Sequence, residues 1–172
     1  MSKETCPIGV RRDGSYYTRI EWTSHTTSDP LIWVNNLIDD DTERNGGTWG
    51  ANTMGPADVI LSFFGEEQNI SRIRIFHNVG VPHSVLEELA SRINLYGSSD
   101  DAVRSIRSAD AKIGDALWNK FLTCEMEKRE GWFEFVLERP VIARYVRMEL
   151  VKNFGTQPDC PWTETSEIKL YP

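Results

Sequence analysis

The stretch ARYVRMELVKNFG, Ala143 to Gly155, is the one whose reading decides the fold. By parity, Val146, Met148 and Leu150 share one face, and Tyr145, Arg147 and Glu149 share the other. That alternation predicts a half-buried strand with one face in a core and one facing water. NFG then predicts a turn, Gly155 being free to adopt positive φ. The same period recurs along the chain. In ISRIRIF, Ile73 and Ile75 oppose Arg72, Arg74 and Phe76; in GWFEFVLE, Phe133, Phe135 and Leu137 oppose Trp132, Glu134 and Val136. SYYTRIEWTS, DVILSFFG, SRINLYGSS and SEIKLYP are further short runs of β-branched and aromatic residues bounded by Gly, Pro, Asn and Asp. Together they predict an all-β chain, an antiparallel sandwich or barrel.

Two stretches depart from this pattern. SVLEELAS sets Ser84 three residues before Glu87, a capping-box arrangement that predicts one or two helical turns. DDAVRSIRSADAKIGDAL places Ala102, Val103, Ile106, Ala109 and Ile113 at helical spacing. Both read as insertions on a β framework, because neither carries enough apolar surface to form a core of its own.

The chain has 172 residues, which suits one domain over residues 1–172. Its 40% hydrophobic and 26% charged content is ordinary for a globular protein. A net charge of -7 argues against a nucleic-acid binder that tracks phosphates, and it weakens the case for anionic membranes. No apolar run approaches the roughly 20 residues of a membrane span. The opening MSKETCPIGVRRDG has no apolar h-region, so the expectation is a cytoplasmic chain or a module excised from a larger extracellular protein. Three cysteines, Cys6, Cys124 and Cys160, show no metal-ligand spacing. Buried free thiols and a Cys6–Cys160 bridge between the two ends are both open.

The segment NNLIDDDTERNGGTWGAN, Asn35 to Asn52, joins an apolar anchor to three consecutive aspartates, a Gly-Gly turn and Thr48-Trp49. Clustered carboxylate and hydroxyl oxygens on a tight loop suit a hard cation such as Ca2+. A solvated acidic loop is the alternative.

NNLIDDD…TWGAN, VILSFFG…ISRIRIF, RINLYGSSD…W, ERPVIARYVRMELVKNFG and SEIKLY follow one another in an order that resembles the discoidin family, also called coagulation factor V/VIII type C domains. Galactose-binding-type carbohydrate-binding modules are its bacterial relatives. The resemblance spans roughly Ile20 to Tyr171 and implies a galactose-binding-like jelly-roll β-sandwich with short helical insertions, in which Ala143–Gly155 carries the penultimate core strand. It also implies a structural calcium held between the Asp-rich loop and the Glu of the closing strand. Matched position by position, Asp39, Asp41, Thr48 and Glu167 stand where the family's ligands stand. Asp40 replaces the usual glycine, and TERN lengthens the loop before Thr48.

Binding in such a sandwich falls to loops at one end, where an aromatic ring stacks on a sugar's C–H face and polar side chains bond the hydroxyls. FHNVGVPH offers His77, Asn78 and His83; KNFGTQPDCPW offers Asn153, Phe154 and Trp162; TWGAN offers Trp49 and Asn52. Phe154 stands at about the stacking position of sugar-binding relatives. Each has a plainer reading: Trp49 as core, Phe154 as a cover on the sandwich end, His77 as a surface residue. Trp22, Trp118 and Trp132 read as packing residues, and Arg144 and Arg147 as ion-pair partners on the sheet. No Gly-rich phosphate loop, HExxH or G-x-S-x-G elbow is present, so the chain does not read as an enzyme. The resemblance favours a glycan, galactose-type sugars included. A protein partner inside the cell is the alternative reading, and the Pro30–Trp33 segment PLIW is the one candidate for lipid contact.

Overall fold

The computed structural model describes residues 11–43, 47–53, 55–79, 85–106, 117–156 and 161–172. Among the described residues ten strands are formed: β1 (Arg19–Thr23), β2 (Trp49–Ala51), β3 (Ala57–Ser62), β4 (Gln68–His77), β5 (Ala90–Ser98), β6 (Asn119–Glu125), β7 (Gly131–Ala143), β8 (Tyr145–Asn153), β9 (Thr163–Thr165) and β10 (Glu167–Tyr171). They build a five-stranded sheet in the order β1-β3-β8-β5-β6, a three-stranded sheet β10-β4-β7 and a short pair β2-β9. Every strand pairing within these sheets is antiparallel.

The core is where the two larger sheets face each other. Ile73 and Ile75 of β4 and Ile168 and Leu170 of β10 pack against Leu95 of β5 and Val146, Met148 and Leu150 of β8. On β4 the expected parity holds, with Ile73 and Ile75 buried and Arg72, Arg74 and Phe76 on the outer face only partly covered. On β7, Phe133, Phe135 and Leu137 turn toward the core while Val136 is exposed.

β8 differs from the half-buried strand that its parity predicts. It lies in the middle of the five-stranded sheet, and its outer face is covered as well: Tyr145 and Arg147 are both buried. The cover is a second apolar cluster, Trp22, Ile60, Val103, Trp118 and Tyr145, on the far side of that sheet. Val103 comes from a 3-10 helix, Asp101–Ser105, capped by the Asp100 side chain, which accepts a hydrogen bond from the Ala102 N–H at 2.8 Å. Its helical spacing therefore serves to cover the sheet; residues 107–116, the rest of that stretch, lie outside the described residues. A turn at Leu86–Glu88 is what the described part of SVLEELAS forms, its capping Ser84 also lying outside them. Arg147 is buried with its charge paired: its Nε donates to Asp58 Oδ1 at 2.7 Å, and the guanidinium stacks over Tyr96 at 4.8 Å. Arg144 pairs with Asp101 at 2.6 Å.

Candidate functional site

Strand register brings His77 and Asn153 to one end of the sandwich. His77 at the end of β4 pairs with Gly131 at the start of β7, and Asn153 at the end of β8 pairs with Ala90 at the start of β5. β9 stitches the sheets together there. The Ser166 N–H donates to Phe76 O at 3.0 Å, the Glu164 N–H to Glu88 O at 2.8 Å, and Trp49 pairs with Thr165 across β2 and β9. Chain segments far apart in sequence therefore meet at this end because antiparallel pairing returns each strand to it.

Within that end the candidates divide by exposure. Asn52 is exposed, and Phe154 and Trp162 are half-buried. Phe154 rests on the edge of the core, and its N–H donates to Glu87 O at 2.9 Å. Asn153 is buried and donates from Nδ2 to Trp162 O at 2.6 Å, which holds the Trp162 segment in place. Asn78, also buried, donates to Glu43 O at 2.9 Å and ties the acidic loop to β4. Trp49 is core, with its indole N–H lacking a hydrogen-bond partner. His77 is fully buried rather than at the surface; its ring lies edge-on to Phe133 at 5.3 Å and neither ring nitrogen is hydrogen-bonded. Burial pushes the imidazole pKa down to about 3, with the Arg129 charge adding to the effect. His83 lies outside the described residues.

An aromatic outside the predicted sugar-binding set also stands open. Trp33, 43% exposed, follows the 3-10 turn Pro30–Ile32, in which Asp29 caps Leu31 at 3.0 Å. Leu31 beside it is 40% exposed, and Leu31 O accepts from the Thr48 N–H at 2.8 Å, fixing the segment against β2. The proline and its capping Asp were the sequence signal that PLIW projects from a turn.

The acidic loop is organised by donors from the chain itself. Asp39 Oδ1 accepts from the Asp41 N–H at 2.9 Å, and Asp41 Oδ1 from the Glu43 N–H at 3.0 Å. Asp40 stands at φ +66°, the left-handed region that the glycine of relatives would reach freely, and its carboxylate pairs with Lys169. Glu167 is buried; Oε1 accepts from Arg11 Nη1 at 3.3 Å and Oε2 from the Asp40 N–H at 3.1 Å. Burial raises the Glu167 pKa against the pull of Arg11, and it raises that of Asp39. Thr48 is buried one residue before β2, with its hydroxyl lacking a hydrogen-bond partner, as is that of Ser166 beside Glu167. Among the described residues no three Asp, Glu, His or Cys side chains converge on a point that could hold a metal ion. Asp39, Asp41 and Glu167 do not form such a group.

Two clefts flank this region. One of about 500 Å³ is open to solvent between Thr42, Phe76, Asn78, Glu130 and Gly131. The other, about 470 Å³, lies over Arg11, Asp13, Tyr17, Asp39, Asp40 and Lys169. A better-enclosed cleft of about 410 Å³ lies at the opposite end, among Arg19, Glu21, Phe64, Arg104 and Tyr145. Polar contacts already cross it, Arg104 Nε donating to Tyr145 Oη at 2.7 Å, and none of the predicted binding residues reaches it.

No protein-family model matches the sequence, and no curated protein matches it. Solved structures do. The family 32 carbohydrate-binding module of NanJ from Clostridium perfringens, in complex with galactose, aligns at TM-score 0.64 and 10% identity over 91% of this chain and 94% of that one. CpGH89CBM32-5 from Clostridium perfringens, in complex with GalNAc-β-1,3-galactose, aligns at 0.62 and 11% identity over 90% and 94%. The family 32 module of EndoD from Streptococcus pneumoniae aligns at 0.63 and 14% identity, again over 90% and 94%. The chain therefore has the discoidin-like β-sandwich fold of these modules.

Proposed function

We propose that this chain is a non-catalytic carbohydrate-binding module that takes a glycan at the end of the sandwich where β4 and β8 finish. The observation that carries the reading is the open cleft against the end of β4, where the Phe76 ring stands beside the polar side chains of Thr42, Asn78 and Glu130. A sugar offers an apolar C–H face and a ring of hydroxyls, and a shallow site with aromatic area and fixed acceptors matches both. Phe154 and Trp162, both half-buried, add ring surface where β8 finishes. Asn78 and Asn153 are anchored by their own bonds to Glu43 and Trp162, so they fix the shape of the surrounding loops. Structural neighbours in complex with galactose and with GalNAc-β-1,3-galactose support a galactose-type ligand.

The test is a glycan array probed with the wild type, Phe154→Ala, Trp33→Ala and Glu130→Gln. Binding to a defined set of sugars is expected, with loss of one stacking ring weakening it about tenfold. Near-wild-type melting temperatures are expected for the Trp33 and Glu130 variants, since exposed substitutions move stability by about 0.5 kcal/mol or less. Silence across the array from folded wild-type protein would overturn the glycan reading. A protein partner docking on Leu31, Trp33 and Val85, all exposed, would then be the next reading to test.

A further inference from the structure

We propose that the joint between the acidic loop and β10 is closed by the chain's own cations, Arg11 and Lys169, in the place where the family resemblance sets a calcium ion. The two groups share the task. Arg11 donates from Nη1 to Glu167 Oε1 at 3.3 Å and from Nη2 to the Ile38 carbonyl at 2.7 Å, so its planar fork spans the gap between the strand and the loop. Those two oxygens belong to the pair of segments a bridging metal would have to join. Lys169 donates to Asp13 Oδ2 at 2.6 Å and to Asp40, drawing the N-terminal segment and the loop onto β10.

The substitution at Asp40 fits this arrangement. A glycine there would meet the left-handed backbone without strain but would leave Lys169 one carboxylate short. Calcium takes six to eight oxygen ligands, drawn from carboxylates, carbonyls and waters. Here each carboxylate of the joint already accepts from a donor: Asp13 from Ser15 and Lys169, Asp39 from Asp41, Asp40 from Lys169, Asp41 from Glu43, and Glu167 from Arg11 and Asp40. Two fixed positive charges at the same spot also repel a divalent ion.

Calorimetric titration of CaCl2 into metal-free protein is expected to give no saturable heat, and the melting temperature is expected to be the same in millimolar CaCl2 as in EDTA. Arg11→Gln breaks the fork that joins Glu167 to the Ile38 carbonyl and is expected to lower the melting temperature by roughly 4 °C or more in either buffer. Saturable calcium binding that raises the wild-type melting temperature would overturn the proposal, as would an Arg11→Gln variant as stable as the wild type. Should Arg11→Gln fail to fold, the wild-type titration still decides. Neither result bears on sugar binding, which the array reads separately.

Discussion

At the scale of single residues, His77 shows how burial changes a side chain's task. On paper it continues a strand and offers two hydrogen-bonding nitrogens to a ligand; in the fold both nitrogens are enclosed and unbonded. A neutral buried imidazole has a consequence for pH. Its folded pKa of about 3 lies below the ordinary 6.5, so below pH 6.5 the unfolded chain binds the proton and the native state does not. The His77 contribution is therefore fully present above that value and is lost as pH falls toward 3, at up to about 1.4 kcal/mol per pH unit. Urea unfolding at pH 7 and at about pH 5 is expected to show this loss in the wild type, about 2 kcal/mol. His77→Leu, which removes the unbonded nitrogens, is expected to lose less over the same interval; parallel pH profiles would show that the ring titrates freely. Asp40 and Phe64 are the described non-glycine residues at positive φ, and they differ in compensation. Asp40 has Lys169, whereas the Phe64 ring is 55% exposed. Phe64→Asn, a residue that tolerates this backbone, is expected to raise the melting temperature by about 2 °C in a thermal scan.

At the scale of elements, β8 carries the most weight because it is paired on both sides and covered on both faces. Met148→Ala there is expected to cost about 2–5 kcal/mol of unfolding free energy, as cavities in enclosed sites do. Arg147→Met is expected to be comparably harmful in chemical denaturation, about 3–5 kcal/mol, because Asp58 would be left buried without its partner. The three-stranded sheet manages its outer face differently. Arg72 lies over Tyr171 at 4.1 Å and Arg74 over Trp132 at 4.4 Å, so polar residues on alternate positions cover aromatic rings and keep them from forming an apolar patch. The connection into β3 depends on Gly55 at φ +112°, where a Cβ would run into the Val151 carbonyl. That close approach is what lets β3 start flush against the end of β8.

At the scale of the whole molecule, the fold was legible because its signal is local and repeated. A period of two, set by the pleat, marks Ile73 and Ile75 or Phe133 and Phe135 from their immediate neighbours alone, and turn residues mark where each strand stops. Those signals left a sandwich and a barrel open; the order of five such segments resembles the discoidin family, and that resemblance implied the sandwich with binding loops at one end. Parity could not tell an edge strand from a central one, since Trp22, Ile60 and Val103 cover Tyr145, and Asp58 and Tyr96 meet Arg147, from elsewhere in the chain. Nor could it weigh the binding candidates: His77 and Trp49 look like ligand groups by type and are enclosed, whereas Trp33 stands open because a capped turn holds it there. The acidic loop shows the same division most clearly. Asp39, Asp40 and Asp41 announce a cation from three adjacent letters, but Lys169, which meets Asp40, and Arg11, which meets the Ile38 carbonyl beside them, come from the two ends of the chain. The sequence by itself determined the strands and their alternating faces, because those depend on backbone geometry between neighbours. Only the tertiary structure decided which side chains are buried, which face solvent and which cation lies within reach of Glu167, because those depend on contacts between residues as far apart as Arg11 and Glu167.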